Sequence, residues 1–455
     1  MAQFICLAVF LWLVSGSEQC GAKEAPISYT RQIAPIFKRN CNGCHYPGKL
    51  KGELDLTTYP AILKGGKHGA SIKAGDPKTG TLMEELSGEE PSMPKEGDPL
   101  SKVELALIEK WIKQGAPNDT PKVAESLIPS DPPKYRTLPV VSALAYSADG
   151  KLLAVSGFHE VLLYNSENME VKGRLLGEAS RIESIVFSPD GKHLAVAANA
   201  PGVFGQVQIW NVDGTNLVKA FKVSNDSIYG LSWSPQGDRV AAGCADRTSR
   251  VFGIRDGKEL AKFENHSDWV FGTAFALDGK RYVSASRDKS MKLVDATNGQ
   301  YVDDLNRQTE PILCLARHPS ADMVAFGSDQ GMIRVYKIAE NPNRSSEGKE
   351  PAFIKETERI SGPAHVVAFS PDGNLLGAAG SANEIKVYST KDWKRVSTLK
   401  GFEGAIFALA FHPKTNYVAV GGFDGKIRIY ETAKGQLVKT MDSVPLEKAS
   451  QTASR

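Results

Sequence analysis

The sequence predicts a multi-domain chain in which a small all-α domain is followed by an all-β propeller of seven blades. Three observations predict it. Two amphipathic helix patterns bracket one closely spaced pair of cysteines near the N-terminus. A short turn marker, with Asp-Gly in four of its copies, then recurs seven times from Ser147 to His412. Between the two, Ala116 to Pro139 holds six prolines and reads as a semi-rigid linker.

At 455 residues, with 41% hydrophobic and 24% charged residues, the chain has ordinary globular composition and room for two or three domains. Its net charge of +3 is spread rather than clustered, which argues against a nucleic-acid partner. Phe4 to Val14 is an unbroken apolar run of eleven residues. A membrane-spanning helix needs roughly twenty, so the run matches the apolar core of a secretory signal, with small residues Ser15 to Ser17 after it. No Lys or Arg precedes it, and Ser17-Glu18-Gln19 before Cys20 lacks a lipid-attachment pattern. Residues 1–22 are therefore expected to be a signal peptide and the mature protein periplasmic or otherwise exported, with no membrane span.

The cysteine pair reads Cys41-Asn42-Gly43-Cys44-His45. C-x-x-C-H is the attachment spacing of c-type haem: each thiol can join one vinyl group, and the next residue carries its imidazole beneath the iron. A zinc site would need a second ligand pair, and a thioredoxin site a βαβ setting; neither pattern is present. One covalently attached haem c is thus expected, with Cys41 and Cys44 as its attachment points and His45 as an axial ligand. The flanks suit this. Tyr29 to Asn40 places Ile33, Ile36 and Phe37 on one helical face. Leu100 to Gly115 pairs Ser101 with Glu104 as a capping box and carries Val103, Leu107, Ile108, Trp111 and Ile112 as an apolar stripe, with Gly115 as terminator. For the second axial ligand the candidates are Met93 in Pro91-Ser92-Met93-Pro94, Met83 in a short amphipathic piece, and His68 in a glycine-rich loop.

Residues 27–118 resemble the small cytochrome c domain of planctomycete-type exported proteins. The resemblance rests on Ile33-Ala34-Pro35-Ile36-Phe37, the Cys41 to His45 motif, Gly75-Asp76-Pro77, Met93-Pro94 and Trp111 to Ala116. It implies Met93 rather than Met83 as the second iron ligand. The family often shows Met-Pro-Pro, and Lys95 stands here in the third place.

The seven markers begin at Ser147, Ser188, Ser234, Ala276, His318, Ser370 and His412, at offsets of 41, 46, 42, 42, 52 and 42. An alternating strand precedes each, and a small-residue strand and an aromatic-ended strand follow, which is the period of four-stranded blades. The outer strand of the last blade is either Tyr135 to Pro139 or Leu437 to Met441. The stretch 140–443 resembles the WD-repeat family, with turn aspartates at Asp246, Asp288, Asp329 and Asp424. Trp210 alone keeps the strand-end tryptophan, and Asn265-His266 alone resembles Gly-His, so the family's hydrogen-bonded tetrad is largely missing. Asn199 to Gly205 and Asn341 to Glu358 break the period and read as solvated loops, or else as sites of partner contact or haem-domain docking. Cys244 and Cys314 read as buried, unpaired strand residues. Residues 119–139 are read as linker and 444–455 as a flexible tail.

Three functions are open to such a chain. A haem ligated by His45 and Met93 has no free coordination position and would transfer electrons, with the propeller docking a redox partner or another exported protein. An oxidoreductase with its active site in the propeller and the haem as electron outlet is less supported. His159, His193, His266, His318, His365 and His412 fall mostly in turns, where satisfied structural histidines are usual. A gas or redox sensor would require a displaceable Met93. The haem domain's own charge gives no steering field, since residues 23–120 carry 14 Lys/Arg and 13 Asp/Glu.

Overall fold

The computed structural model describes residues 26–46, 49–95, 98–119, 131–306, 310–339 and 352–447. The apolar run near the N-terminus and residues 448–455 lie outside them. The chain divides into two compact units, 1–124 and 125–455. Among the described residues no helix is long and apolar enough to cross a membrane.

The described residues of the N-terminal unit form four short α-helices, α1 (Ala34–Asn40), α2 (Tyr59–Lys64), α3 (Thr81–Leu86) and α4 (Lys102–Lys113), and a two-stranded pair, His45–Tyr46 with Lys49–Leu50. The chain enters α1 through a π-helical turn, Tyr29–Ile33, capped by the Ser28 hydroxyl on the Arg31 amide. Ile33, Ile36 and Phe37 are buried together, as the spacing requires. At α4 the Ser101–Glu104 capping box is present with both bonds made. Ile108, Trp111 and Ile112 are buried, and Gly115 ends the helix at φ +90°. Val103 is 77% exposed, contrary to the stripe that included it. It lies nine residues before Ile112, about two and a half turns at ~3.6 residues per turn, and so faces the opposite side of the helix. The two ends of the unit are tied together: Ile27 N donates to the Gln114 side chain at 2.8 Å and Thr30 N to the Asp119 carboxylate at 2.8 Å.

In the second unit the described residues form seven four-stranded antiparallel sheets, each built from consecutive strands. This is a seven-bladed β-propeller. The marker turns explain its regularity. In blade 1 the Ser147 hydroxyl donates to Asp149 at 2.6 Å, accepts from Leu152 N at 3.0 Å, and Gly150 turns the chain at φ +75°. Ser188–Asp190 and Ser370–Asp372 repeat the pattern. Where histidine replaces serine, its imidazole takes over. His318 Nδ1 accepts from Ala321 N at 3.0 Å and His412 Nδ1 from Lys414 N at 3.1 Å. With Nδ1 accepting, the neutral ring carries its proton on Nε2, which donates to the turn carbonyl of the following blade, Gly373 at 3.1 Å and Gly150 at 3.1 Å.

The outer strand of blade 7 is Gln436–Asp442, which settles the closure in favour of the C-terminal segment. Tyr135 instead pairs in parallel with Leu446, and Glu447 N donates to its carbonyl at 2.8 Å. Tyr135 is buried and its hydroxyl donates at 2.6 Å to Glu160, whose side chain is wholly enclosed and paired with Arg174. Val444 is buried too, so the propeller extends past 140–443 at both ends, into stretches read as linker and tail.

The two period-breaking segments are only partly loops. Asn199 to Gly205 lengthens the central hairpin of blade 2, whose strands His193–Ala200 and Phe204–Asn211 pair out to Ala200 and Phe204. Asn199 is fully buried there. Its amide donates to Ile228 O at 2.8 Å and accepts from Ile228 N at 2.9 Å, joining blade 2 to blade 3. Replacing it with alanine strands both backbone groups and should cost about 1–3 kcal/mol, read as a lower denaturant midpoint at unchanged slope. Of the second segment, residues 341–351 lie outside the described residues, while Phe353–Glu356 forms the outer strand of blade 5.

Candidate functional site

The haem motif begins where α1 ends. Cys41 N and Asn42 N both donate to Phe37 O at 2.9 Å, so a carbonyl of the last helical turn anchors the start of the motif. Cys44 N and His45 N both donate to Cys41 O at 3.1 Å, coiling the five residues into a compact turn. Two further bonds anchor it: Lys51 N to Cys44 O at 3.2 Å and Leu56 N to His45 O at 3.0 Å. Neither cysteine is in a disulfide. Burial, with a smaller contribution from Glu104, pushes the Cys41 thiol up to about 11.

A cavity of about 780 Å³ opens beside this turn. Cys41, Cys44, His45 and Met93 all line it. Leu54, Leu56, Leu82 and Leu86 supply apolar wall, and Leu56, Leu82 and Leu86 are buried. The Met93 loop is held to α3, since Met93 N donates to Glu85 O at 3.0 Å and the Ser92 hydroxyl bonds the Glu85 carboxylate. Of the competing candidates, Met83 packs against the core and is not among the lining residues, whereas His68 lines the cavity. His68 sits at the tip of a turn closed by Gly66 and Gly69, each donating to the other's carbonyl at 3.0 Å. The sequence marks Thr81 to Leu86 as a short amphipathic piece, but it does not show that Leu82 and Leu86, with Leu54 and Leu56, wall the haem motif. They come from separate segments, and a single sequence shows no link between those segments and the motif.

Haem fits these residues. The cavity volume falls in the range of ligand sites, about 300–1,000 Å³. Its lining combines two thiols, an imidazole, a thioether and apolar surface, the donor set a covalently held haem takes. His45 Nδ1 is enclosed without a hydrogen-bond partner, which marks the ring as placed for something other than its neighbours.

In the propeller, five of the six histidines have ring partners. His266 is held by Asp288 at 2.8 Å and Ser284 at 2.8 Å, and His365 reaches Ser381 at 3.0 Å. His159 contacts Glu178 O at 3.1 Å, and His318 and His412 make the turn contacts described above. The WD tetrad thus survives in blade 4 less its tryptophan. In blades 3 and 7 the turn aspartate is paired instead with an arginine four residues on, Asp246–Arg250 at 2.7 Å and Asp424–Arg428 at 2.7 Å. Cys244 and Cys314 are free and buried, and burial raises both thiols, Cys314 to about 12. Among the described residues no group of three His, Cys, Asp or Glu side chains is placed to hold a metal ion.

Fold and site together define a class: a small domain with a c-type haem motif joined to a WD-repeat propeller. Comparison with known families gives the same two parts. Residues 41–97 match the family described as Planctomycete cytochrome C. Residues 215–252 and 257–295 match the WD domain, G-beta repeat, and residues 367–448 the Anaphase-promoting complex subunit 4 WD40 domain. Among individual proteins, the chain is similar to telomerase protein component 1 of Mus musculus (25% identical over 46% of this chain and 8% of the relative). It is also similar to eukaryotic translation initiation factor 3 subunit I of Taeniopygia guttata (24% over 36% of this chain and 52% of the relative). WD repeat-containing protein 90 of Mus musculus is 34% identical over 25% of this chain and 6% of its own length. The chain spans about half the length of one of these relatives and under a tenth of the other two.

Proposed function

We propose that this is an exported electron-transfer protein. One haem c is carried in the N-terminal unit by Cys41 and Cys44, with His45 and Met93 as iron ligands. The observation that carries the reading is that all four residues line one apolar-walled cavity. Bound there, haem supplies a one-electron ferric/ferrous couple. The residues of the chain do the rest. Cys41 and Cys44 tether the porphyrin as thioethers from a turn fixed to α1. His45 is oriented by its own backbone, with N–H on Cys41 O and carbonyl on Leu56 N. The tie from Met93 N to α3 keeps the thioether at the cavity wall, and thioether ligation favours the reduced metal and a higher potential. Leu54, Leu56, Leu82 and Leu86 keep water from the ring. The propeller serves as the platform for a redox partner or another exported protein, a role in keeping with its WD-repeat relatives. Export itself is supported by the apolar run at Phe4 to Val14 and by the attachment chemistry of haem c, which takes place outside the cytoplasm.

The test is an absorption spectrum of the full-length protein produced in a host that matures c-type cytochromes. Haem should resist acid–acetone extraction, show a sharp α-band on reduction, and show a methionine-to-iron band when oxidised that disappears in Met93→Ala. Carbon monoxide should leave the reduced spectrum unchanged. Extractable haem would overturn covalent attachment, and a carbon monoxide shift in the wild-type protein would overturn ligation by Met93 in favour of sensing.

A further inference from the structure

The lining of the cavity is uneven in charge. Beyond its apolar wall and its proposed ligands it carries Arg39, Lys51 and Lys95 against one carboxylate, Glu85. Their commitments differ. Arg39 is engaged by Glu104 at 3.2 Å. Glu85 accepts the Ser92 hydroxyl and so helps to hold the Met93 loop. Among the described residues neither Lys51 nor Lys95 forms an ion pair. Lys51 follows the strand pair after the motif, and its backbone is fixed to Cys44 O at 3.2 Å. Lys95 comes two residues after Met93. Two cations without an ion pair among the described residues therefore stand on the wall of the cavity, one on the attachment-turn side and one on the methionine-loop side.

Haem is itself uneven. Its macrocycle is apolar, but it carries two propionate carboxylates, which need either water or cations. We infer that Lys95, together with Lys51, pairs with the haem propionates and thereby raises the reduction potential of the iron. This deepens the electron-transfer reading and rests on it. Reduction adds one negative charge at the metal, so a nearby cation stabilises the ferrous form relative to the ferric, and an unpaired propionate does the reverse. Lys95 is exposed, so its effect is screened by salt.

The experiment is a potentiometric titration of full-length holoprotein at low and high ionic strength, comparing wild type with Lys95→Gln, Lys95→Glu, Lys95→Arg and Lys51→Gln. The midpoint should move negative in Lys95→Gln, further in Lys95→Glu, and stay near wild type in Lys95→Arg. Lys51→Gln should also move it negative, and all shifts should shrink at high salt. Each sample is first checked for extraction-resistant haem and for the methionine band. A wild type without covalent haem defeats the electron-transfer reading itself. Intact haem and methionine band with an unmoved midpoint in Lys95→Gln and Lys95→Glu overturns the role of Lys95 alone. Loss of the methionine band, or an equal shift in Lys95→Arg, also overturns it, by showing that Lys95 shapes the loop rather than supplying charge.

Discussion

Replacing Trp111 with alanine is expected to unfold the N-terminal unit while leaving the propeller's melting transition in place. Trp111 is fully buried at the centre of the unit. It stacks on Tyr29 with ring centroids 5.7 Å apart and meets Tyr59 edge-on at 6.3 Å. Its indole N–H donates to Pro117 O at 3.0 Å, tying α4 to the chain beyond it. Truncating a buried tryptophan costs about 3–5 kcal/mol, against a total of about 5–15 for a whole domain. The unit is small, with correspondingly little core, and each kilocalorie lowers the melting temperature of a domain of this size by about 4–8 °C. Calorimetry of the full-length protein should show the smaller transition lost or lowered by more than 10 °C at about 4–8 °C per kcal/mol, and the larger one unmoved. Trp111→Phe keeps a ring and loses the indole bond, so it should fall between. A shift of only a few degrees in Trp111→Ala would mean that Tyr29 and Tyr59 close over the gap.

The second large effect belongs to blade 4. The His266 side chain is fully enclosed between Asp288 and Ser284. Asp288 also accepts from Ser267 N at 2.9 Å and from the Ser290 hydroxyl at 2.6 Å. Burial acts to raise the Asp288 carboxyl, but these partners, His266 foremost, outweigh it and hold the group well below the usual carboxylate range. Asp288→Ala removes one partner of an enclosed pair and should cost about 3–5 kcal/mol of propeller stability. Asp288→Asn, which still offers an acceptor oxygen, should cost less. The sign of the pH dependence follows from the depressed carboxyl. Its stabilisation is complete above the ordinary aspartate value of about 3.9 and is lost as the pH falls below it. Wild-type propeller stability should therefore decline on acidification below about pH 4, and that part of the decline should be missing in Asp288→Ala. Denaturant unfolding at a series of pH values checks both; parallel curves for the two proteins would rule out the role assigned to Asp288.

Much of this architecture was legible in the chain because it rests on local chemistry. The Ser-Pro-Asp-Gly turns work through bonds within five residues, so each marker announces its own turn, and the capping box of α4 is complete within Ser101 to Glu104. What was not legible depends on partners far along the chain. Asn199 looks like the start of a loop until Ile228 of the next blade satisfies its amide. His318 and His412 look like departures from the serine turns until Gly373 and Gly150 are seen to accept their ring protons. In the N-terminal unit the Cys41 to His45 motif was plain, but the leucine wall around it is assembled from the Leu54–Leu56 stretch and α3. Of the methionine candidates, Met93 was preferred to Met83 on resemblance; the fold then places Met93, and not Met83, among the residues lining the cavity.

The assembly of each blade from consecutive strands has a consequence for how the ring could be recut. No blade waits for a strand from the far end of the chain, and Tyr135 and Leu446 lie side by side where the ring begins and ends. Joining residues near these two points with a short linker and opening the chain at another inter-blade turn would give a circular permutant with every sheet intact. The blade order in the gene is then one of several that encode the same ring.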